Sequence, residues 1–252
     1  MKKTNKYFLY KSLDELDFSD SNIVFIHSSM LKFGYYENGV SSFLPDLLSY
    51  FGSNVTVGMP TFTFSKNNSQ HWTKARKSEV GSLTQKFLEL PGTERTIHPT
   101  HSCGFNGPLA KHLSSIFTPC IFSQGGIFEI LADLGATNIG IGVEFVGGAT
   151  FLHTAEKQAQ VFYRENIVLD SQCYDPELQK LLGGFTYFAR KNDLQGDPYV
   201  NDWNRIFYKF FYNGLYSVKV KSGIPFSQID MRKGLRFLKA TLLEDPEITL
   251  RK

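Results

Sequence analysis

Four of the six histidines, His27, His98, His101 and His153, fall at the ends of strand-like runs or in turns rather than inside long apolar stripes. Loops at strand ends are where rigid scaffolds carry their sites. The segment Thr150-Phe-Leu-His153-Thr-Ala-Glu156 follows Gly147-Gly148 and reads as the opening of a helix with Thr150 as its N-cap. His153 and Glu156 then stand three residues apart on one helical face. A carboxylate so placed fixes one imidazole tautomer and stabilises the imidazolium, which makes a general base with its own orienter. The same spacing also suits an ordinary surface pair, and spacing alone does not choose. His98 and His101 with Cys103 invite a metal reading, but Pro99 argues against the helical geometry that would point both rings inward, and no metal is expected.

Other chemistries are missing their signatures. No G-x-x-x-x-G-K-S/T, H-E-x-x-H or G-x-S-x-G run occurs, and Gly140-Ile-Gly142 lacks the third glycine of a dinucleotide fingerprint.

The elements that must position these residues alternate between strand and helix. Asn22 to His27 is a short β-branched run, Val40 to Phe51 reads as a helix, and Val55 to Met59 resumes a strand, together a βαβ unit. Pro108 sits just inside a helix running to about Phe117, Ile127 to Leu134 forms another, and Ile139 to Val143 returns to a buried strand. Phe185 to Arg190 and Tyr216 to Lys221 alternate like antiparallel strands with one wet face. Asp202 and Asp230 are expected to cap two late helices. The reading is an α/β fold with a mixed, mostly parallel central sheet flanked by helices and a smaller antiparallel β-rich portion in the C-terminal half. Residues 1–252 form one domain, with a β-rich sub-lobe over about 160–222.

Composition bounds the rest. A chain of 252 residues with 42% hydrophobic side chains buries one large core, and its 23 Phe and 12 Tyr mostly pack it. The charge of +3 is spread without single-sign runs, which gives nucleic-acid binding no support and suits a small anionic ligand. Cys103, Cys120 and Cys173 are odd in number and widely spaced, which fits a reducing compartment. No signal segment or membrane-length apolar run is found, so the cytoplasm is expected and a membrane is not. Aromatics around Tyr35, Tyr36 and Tyr199 are candidates for a homodimer interface.

Four segments, in order, resemble the motifs of the aminoglycoside 3-N-acetyltransferase family: Ile26-His27-Ser28-Ser29, Met59-Pro60-Thr61-Phe62-Thr63, Arg95-Thr-Ile-His98-Pro99 with Ser102, and Thr150-Phe-Leu-His153-Thr-Ala-Glu156. Weaker echoes at Gly81-Ser-Leu83, Pro91-Gly92, Asp202-Trp203 and Gly223 extend the likeness to most of the chain. The resemblance implies an acyl-CoA-dependent N-acyltransferase, distinct in fold from the GNAT enzymes, that uses acetyl-CoA in a ternary complex without a covalent acyl-enzyme. It implies His153 as the base and Glu156 as its support. It further implies cofactor contacts from His27, Ser28, Ser29, Met59 and Thr61, and substrate contacts from His98, Ser102 and Thr150. Bland alternatives remain open at that point: a helix cap for Ser28 and Ser29, and a packed strand end for Met59 to Thr63.

The chain departs from the family pattern at Gln85, Leu88 and Thr96, and in charge, since enzymes that hold a polycationic antibiotic tend to be acidic. The expected acceptor is therefore an amino sugar or nucleotide-linked amino sugar used in surface glycan or polysaccharide biosynthesis. The alternatives are aminoglycoside acetylation conferring antibiotic resistance and a non-catalytic coenzyme A or sugar-binding protein.

Overall fold

The computed structural model describes residues 3–18, 21–63, 72–192, 195–197 and 199–251. Eleven strands are used below: β1 (Ile23–Ser28), β2 (Thr56–Pro60), β3 (Glu94–Arg95), β4 (Cys103–Asn106), β5 (Thr137–Ile141), β6 (Arg164–Val168), β7 (Cys173–Asp175), β8 (Lys180–Leu182), β9 (Thr186–Arg190), β10 (Ser217–Lys221) and β11 (Ile224–Asp230). Seven of them form one sheet in the order β10-β11-β5-β1-β2-β4-β3.

The sheet is mixed, as expected, but the parallel share is smaller than the sequence suggested. Only β1 with β2 and β1 with β5 run parallel, whereas β2–β4, β4–β3, β5–β11 and β11–β10 are antiparallel. The error has a physical source. Strands buried on both faces read as continuous apolar runs whichever way they point, and only the connecting segment reveals direction. The βαβ reading of β1, helix Val40–Phe51 and β2 holds.

Helices cover both faces of the sheet, and the period-2 alternation of β1 feeds two separate cores. Ile23 and Phe25 pack with Phe105, Phe128 and Phe151, while Val24 and Ile26 pack with Leu9, Phe43 and Leu47. His27 continues the Ile23–Phe25 face, and its ring lies 5.4 Å from that of Phe25. The alternation thus puts an imidazole at the strand end on the face where the late helices pack.

The β-rich stretch is divided. β6 pairs antiparallel with β9 and β7 with β8, but β10 belongs to the central sheet and Asn204–Tyr212 is a helix. Of the aromatics proposed for an interface, Tyr35 is exposed, whereas Tyr36 is buried and donates to Asp46 Oδ2 at 2.7 Å. Asp230 caps its helix as expected by accepting from Lys233 N. Asp202 lies two residues before the helix Asn204–Tyr212, whose N-cap position is Trp203, and its carboxylate accepts from Asn204 N at 2.9 Å. The helix after Pro108 is shorter than expected, Ala110–Ser114. Among the described residues no helix is long and apolar enough to cross a membrane.

Gly58 shows how tightly β2 is seated. A Cβ there would come within 2.7 Å of ring atoms of both Phe25 and Phe105. Gly58→Ala should destabilise the protein by about 1–3 kcal/mol, the usual cost of overpacking a core, read as a lower denaturant midpoint at unchanged slope.

Candidate active site

The sheet brings its parallel strand ends to one cavity of about 330 Å3. β1 delivers His27 and Ser28, and the end of β2 delivers Pro60 and then Phe62. After β5 the chain turns at Gly142, where a φ of +69° and a Cβ that would come within 2.7 Å of Ser29 O require glycine. It then runs through a short helix at Phe145–Gly148 and a 3-10 turn at Thr150–Leu152 into the helix His153–Gln158. Thr150 and His153 line the cavity from this run, and the β6–β9 ribbon closes the wall with Arg164, Tyr187 and Phe188.

The His153 side chain is 26% exposed, while Glu156 behind it is wholly buried. Nδ1 of His153 lies 2.6 Å from Glu156 Oε2, so the sequence spacing does produce the pair. The carboxylate accepts further: Tyr163 OH donates to Oε1 at 2.8 Å, and Asn201 Nδ2 approaches the same oxygen at 3.5 Å. Arg164 Nε stands 2.7 Å from Oε2 as a close ion pair, though its N–H is not aligned for a hydrogen bond. Burial pushes the Glu156 carboxyl up, but the charge and hydrogen bond of His153, then Arg164 and Tyr163, outweigh it and hold the group below its ordinary value. An ionised Oε2 can only accept, so Nδ1 carries a proton in either state of the ring, and in the neutral ring the lone pair falls to Nε2, on a side chain that lines the cavity. Edge contacts from Phe122 and Trp203, with ring centroids at 5.5 and 5.7 Å, hold that ring on two further sides.

Thr150 does not cap a helix. Its hydroxyl lies 3.2 Å from His27 Nε2, and His27 Nδ1 lies 3.1 Å from Asn138 Oδ1. Ser28 lines the cavity, but Ser29 is the cap of the short helix Met30–Phe33, accepting from Lys32 N.

Met59, Thr61, His98 and Ser102 lie outside the cavity lining and form its buried support. Thr61 Oγ1 donates to Ser102 O, and Ser102 Oγ in turn donates to Thr61 O, each at 2.9 Å. The buried guanidinium of Arg95 donates to Ser102 Oγ and to the carbonyls of Thr61, Lys74 and Arg76, and packs on Trp72. His98 Nδ1 accepts from the amides of Thr100 and His101, and Nε2 donates to Pro119 O at 3.2 Å. The side chains of these four motif residues are therefore packed beneath the cavity and not in its lining.

Sequence reasoning missed several residues the structure brings in. His101, noted for its place at a strand end but given no role beyond a discounted metal reading, lines the cavity and stacks on Tyr187 at 5.2 Å and 9°. Tyr163, Arg164 and Asn201, which meet Glu156, and Thr249, which meets Tyr163 and Asn201, follow no spacing rule. Asn138 carried a usable signal: it is a polar residue inside the buried run Thr137–Ile141. Among the described residues no group of three His, Cys, Asp or Glu side chains is placed to hold a metal ion.

The sequence profile of aminoglycoside 3-N-acetyltransferase matches residues 25–179, more than half of the 252. The chain belongs to the aminoglycoside 3-N-acetyltransferase family. The resemblance drawn from the four motifs is borne out, and with it the N-acetyltransferase class. Solved structures agree in fold along the whole length. The apoenzyme of aminoglycoside acetyltransferase AAC(3)-IVa is 20% identical with a TM-score of 0.78, covering 100% of this chain and 93% of that one. AAC-IIIb in binary complex with CoASH is 15% identical with a TM-score of 0.81, covering 96% and 97%. Sisomicin-bound AAC-VIa is 15% identical with a TM-score of 0.79, covering 96% and 99%. No curated protein sequence matches the chain significantly.

His27 and His101 in the cavity wall, and His98 beneath it, are poor bases. Burial lowers His27 to about 4 against the raising effect of Asn138, lowers His98 to about 4 against its bonds to Pro119 and Thr186, and drives His101 well below its ordinary 6.5. Each binds its proton more tightly when unfolded, so this part of the stability is present above pH 6.5 and is lost as pH falls below it, over a window that reaches about 4 for His27 and His98. A series of melts should show a decline through this window approaching about 1.4 kcal/mol per pH unit for each imidazole. A flat profile between about pH 6.5 and 5 would show that these rings protonate in the native state.

Proposed function

We propose that the chain transfers the acetyl group of acetyl-CoA to an amine of an aminoglycoside-like amino sugar, with His153 as general base and Glu156 as its orienting carboxylate. The observation that carries this reading is the 2.6 Å contact between His153 Nδ1 and a wholly buried Glu156, on a ring that lines the cavity. An ammonium has no lone pair with which to attack a thioester, so the acceptor reacts as its neutral amine, having given its ammonium proton to solvent before the transfer. As the amine nitrogen bonds the acetyl carbon, the carbon–sulfur bond breaks. The amine proton passes to Nε2, the coenzyme leaves as its thiolate, and the imidazolium returns a proton to that sulfur. Glu156 stays ionised throughout and compensates the charge that appears on His153.

The cavity fits the reacting ends of two substrates. Its volume lies at the lower end of the roughly 300–1,000 Å3 of small-molecule sites. Ser28, at the end of β1, is proposed for the acetyl-CoA arm, and Thr150, beside His153, for the acceptor. Met59, Thr61, His98 and Ser102 support the reaction as the scaffold beneath these groups. Related structures hold gentamicin, apramycin and sisomicin, which favours an aminoglycoside acceptor over an amino sugar of surface glycan synthesis. The glycan reading rests on the net charge alone. We place the protein in the cytoplasm, where acetyl-CoA is at hand and the free, buried Cys103, Cys120 and Cys173 stay reduced.

Thiol release from acetyl-CoA across aminoglycosides, simple amino sugars and nucleotide-linked amino sugars tests the reading. Turnover is expected with an aminoglycoside, and His153→Ala should lower it by roughly 100- to 10,000-fold. Undiminished turnover in the folded variant would remove His153 from the mechanism, and turnover confined to nucleotide-linked sugars would restore the glycan reading. Glu156→Gln keeps the shape but removes the charge. It should cost less than His153→Ala and move the acidic limb of the pH–rate profile, and a profile identical to wild type would reduce Glu156 to packing.

A further inference from the structure

We propose that Thr150, polarised by the buried pair His27 and Asn138, accepts the second N–H of the substrate amine, so that the site selects primary amines and turns their lone pair to the thioester. This rests on the N-acetyl transfer proposed above and assigns the direction of every proton along one chain of contacts.

The chain starts at a group with no freedom. The Gly148 carbonyl can only accept, and Asn138 Nδ2 donates to it at 2.6 Å. The amide oxygen of Asn138 is then the atom that meets His27 Nδ1 at 3.1 Å, and an amide oxygen also only accepts. His27 must therefore carry its proton on Nδ1. The ring is buried, and that burial, only partly offset by Asn138, keeps it neutral at physiological pH. Nε2 is consequently an acceptor, and the Thr150 hydroxyl 3.2 Å away is its donor. A hydroxyl has one proton. With that proton committed to His27, Thr150 Oγ1 has only lone pairs to offer the cavity.

Thr150 and His153 line that cavity together, three residues apart on the consecutive helical turns Thr150–Leu152 and His153–Gln158. Two acceptors on one face match a neutral primary amine, which has two N–H groups and one lone pair. One N–H goes to His153 Nε2 and the other to Thr150 Oγ1, and the lone pair is left with one direction. During transfer the proton on His153 leaves the nitrogen as the N–C bond forms and the C–S bond breaks. The proton on Thr150 stays and becomes the N–H of the product amide. A secondary amine has a single N–H and satisfies only one of the two acceptors. His27 and Asn138 touch no reacting atom in this scheme and act as positioning residues.

The test compares wild type, Thr150→Val, Thr150→Ser, His27→Phe and the double variant His27→Phe/Thr150→Val. Each is checked for native near-UV dichroism and assayed with a primary-amine acceptor of the wild type, with its N-methyl analogue, and without acceptor. Thr150→Val should lower kcat for the primary amine about 5- to 100-fold, the span of one lost hydrogen bond, at unchanged KM for acetyl-CoA. It should also shrink the preference for the primary over the N-methyl amine, whereas Thr150→Ser should keep both within about 3-fold of wild type. Because His27 acts through Thr150, the double variant should be no slower than Thr150→Val alone. Undiminished kcat and undiminished preference in Thr150→Val would overturn this inference and leave N-acetyl transfer standing. An equal loss in acceptor-free hydrolysis of acetyl-CoA would also overturn it, because the hydroxyl would then be donating to the thioester oxygen. No thiol release by wild type with any amine would overturn the transfer reading and this inference together.

Discussion

A carboxylate with no solvent exposure is the constraint on which the site depends. An unpaired buried charge costs several kcal/mol, so Glu156 is retained only where its oxygens are fully engaged. The partners come from three elements: His153 from the same helix, Tyr163 and Arg164 from the start of β6, and Asn201 from the turn before the late helix. Tyr163 is itself tied to Thr249 at 2.6 Å. This last segment of the fold is thereby part of the site's foundation, although none of it lines the cavity. Phe188 adds a further brace, with the Arg164 guanidinium 5.3 Å from its ring centre.

The same logic separates the histidines into two kinds. His27, His98 and His101 are buried and neutral, and their bonds to Asn138, backbone amides and neighbouring rings make them rigid spacers with defined donor and acceptor sides. Among the described residues, His153 is the histidine that combines partial exposure with a buried carboxylate on Nδ1. The site thus holds several imidazoles but one ring whose free nitrogen is set up to take a proton. Arg95 plays a comparable supporting part under the floor, spreading its charge over carbonyls of separate segments so that Thr61 and Ser102 hold the ends of β2 and β4 together.

Local pattern made the backbone of this site legible. The alternation in β1 put His27 at a strand end, and the i, i+3 spacing put Glu156 behind His153, both as found. What pattern does not encode is which strands meet: the antiparallel partners of β2 and β5 are β4 and β11, each far along the chain. The residues missed belong to this non-local class, since Arg164, Asn201 and Thr249 meet Glu156 or its partners only through tertiary packing. Motif membership says nothing of how a residue serves the site: the side chains of Met59, Thr61, His98 and Ser102 are spent on one another, on backbone and on the core. A Thr after a glycine pair reads as a helix cap from sequence, but a buried imidazole opposite claimed its hydroxyl first.

The account turns on the proton of one ring nitrogen, and that can be observed without substrate. In protein labelled with nitrogen-15 at histidine, the nitrogen shifts of His153 in its neutral form report which nitrogen bears hydrogen. The account predicts a protonated Nδ1 strongly bonded to Glu156 and a bare Nε2. A neutral His153 carrying its proton on Nε2 would contradict it, because the ring would then have no lone pair to turn towards an amine.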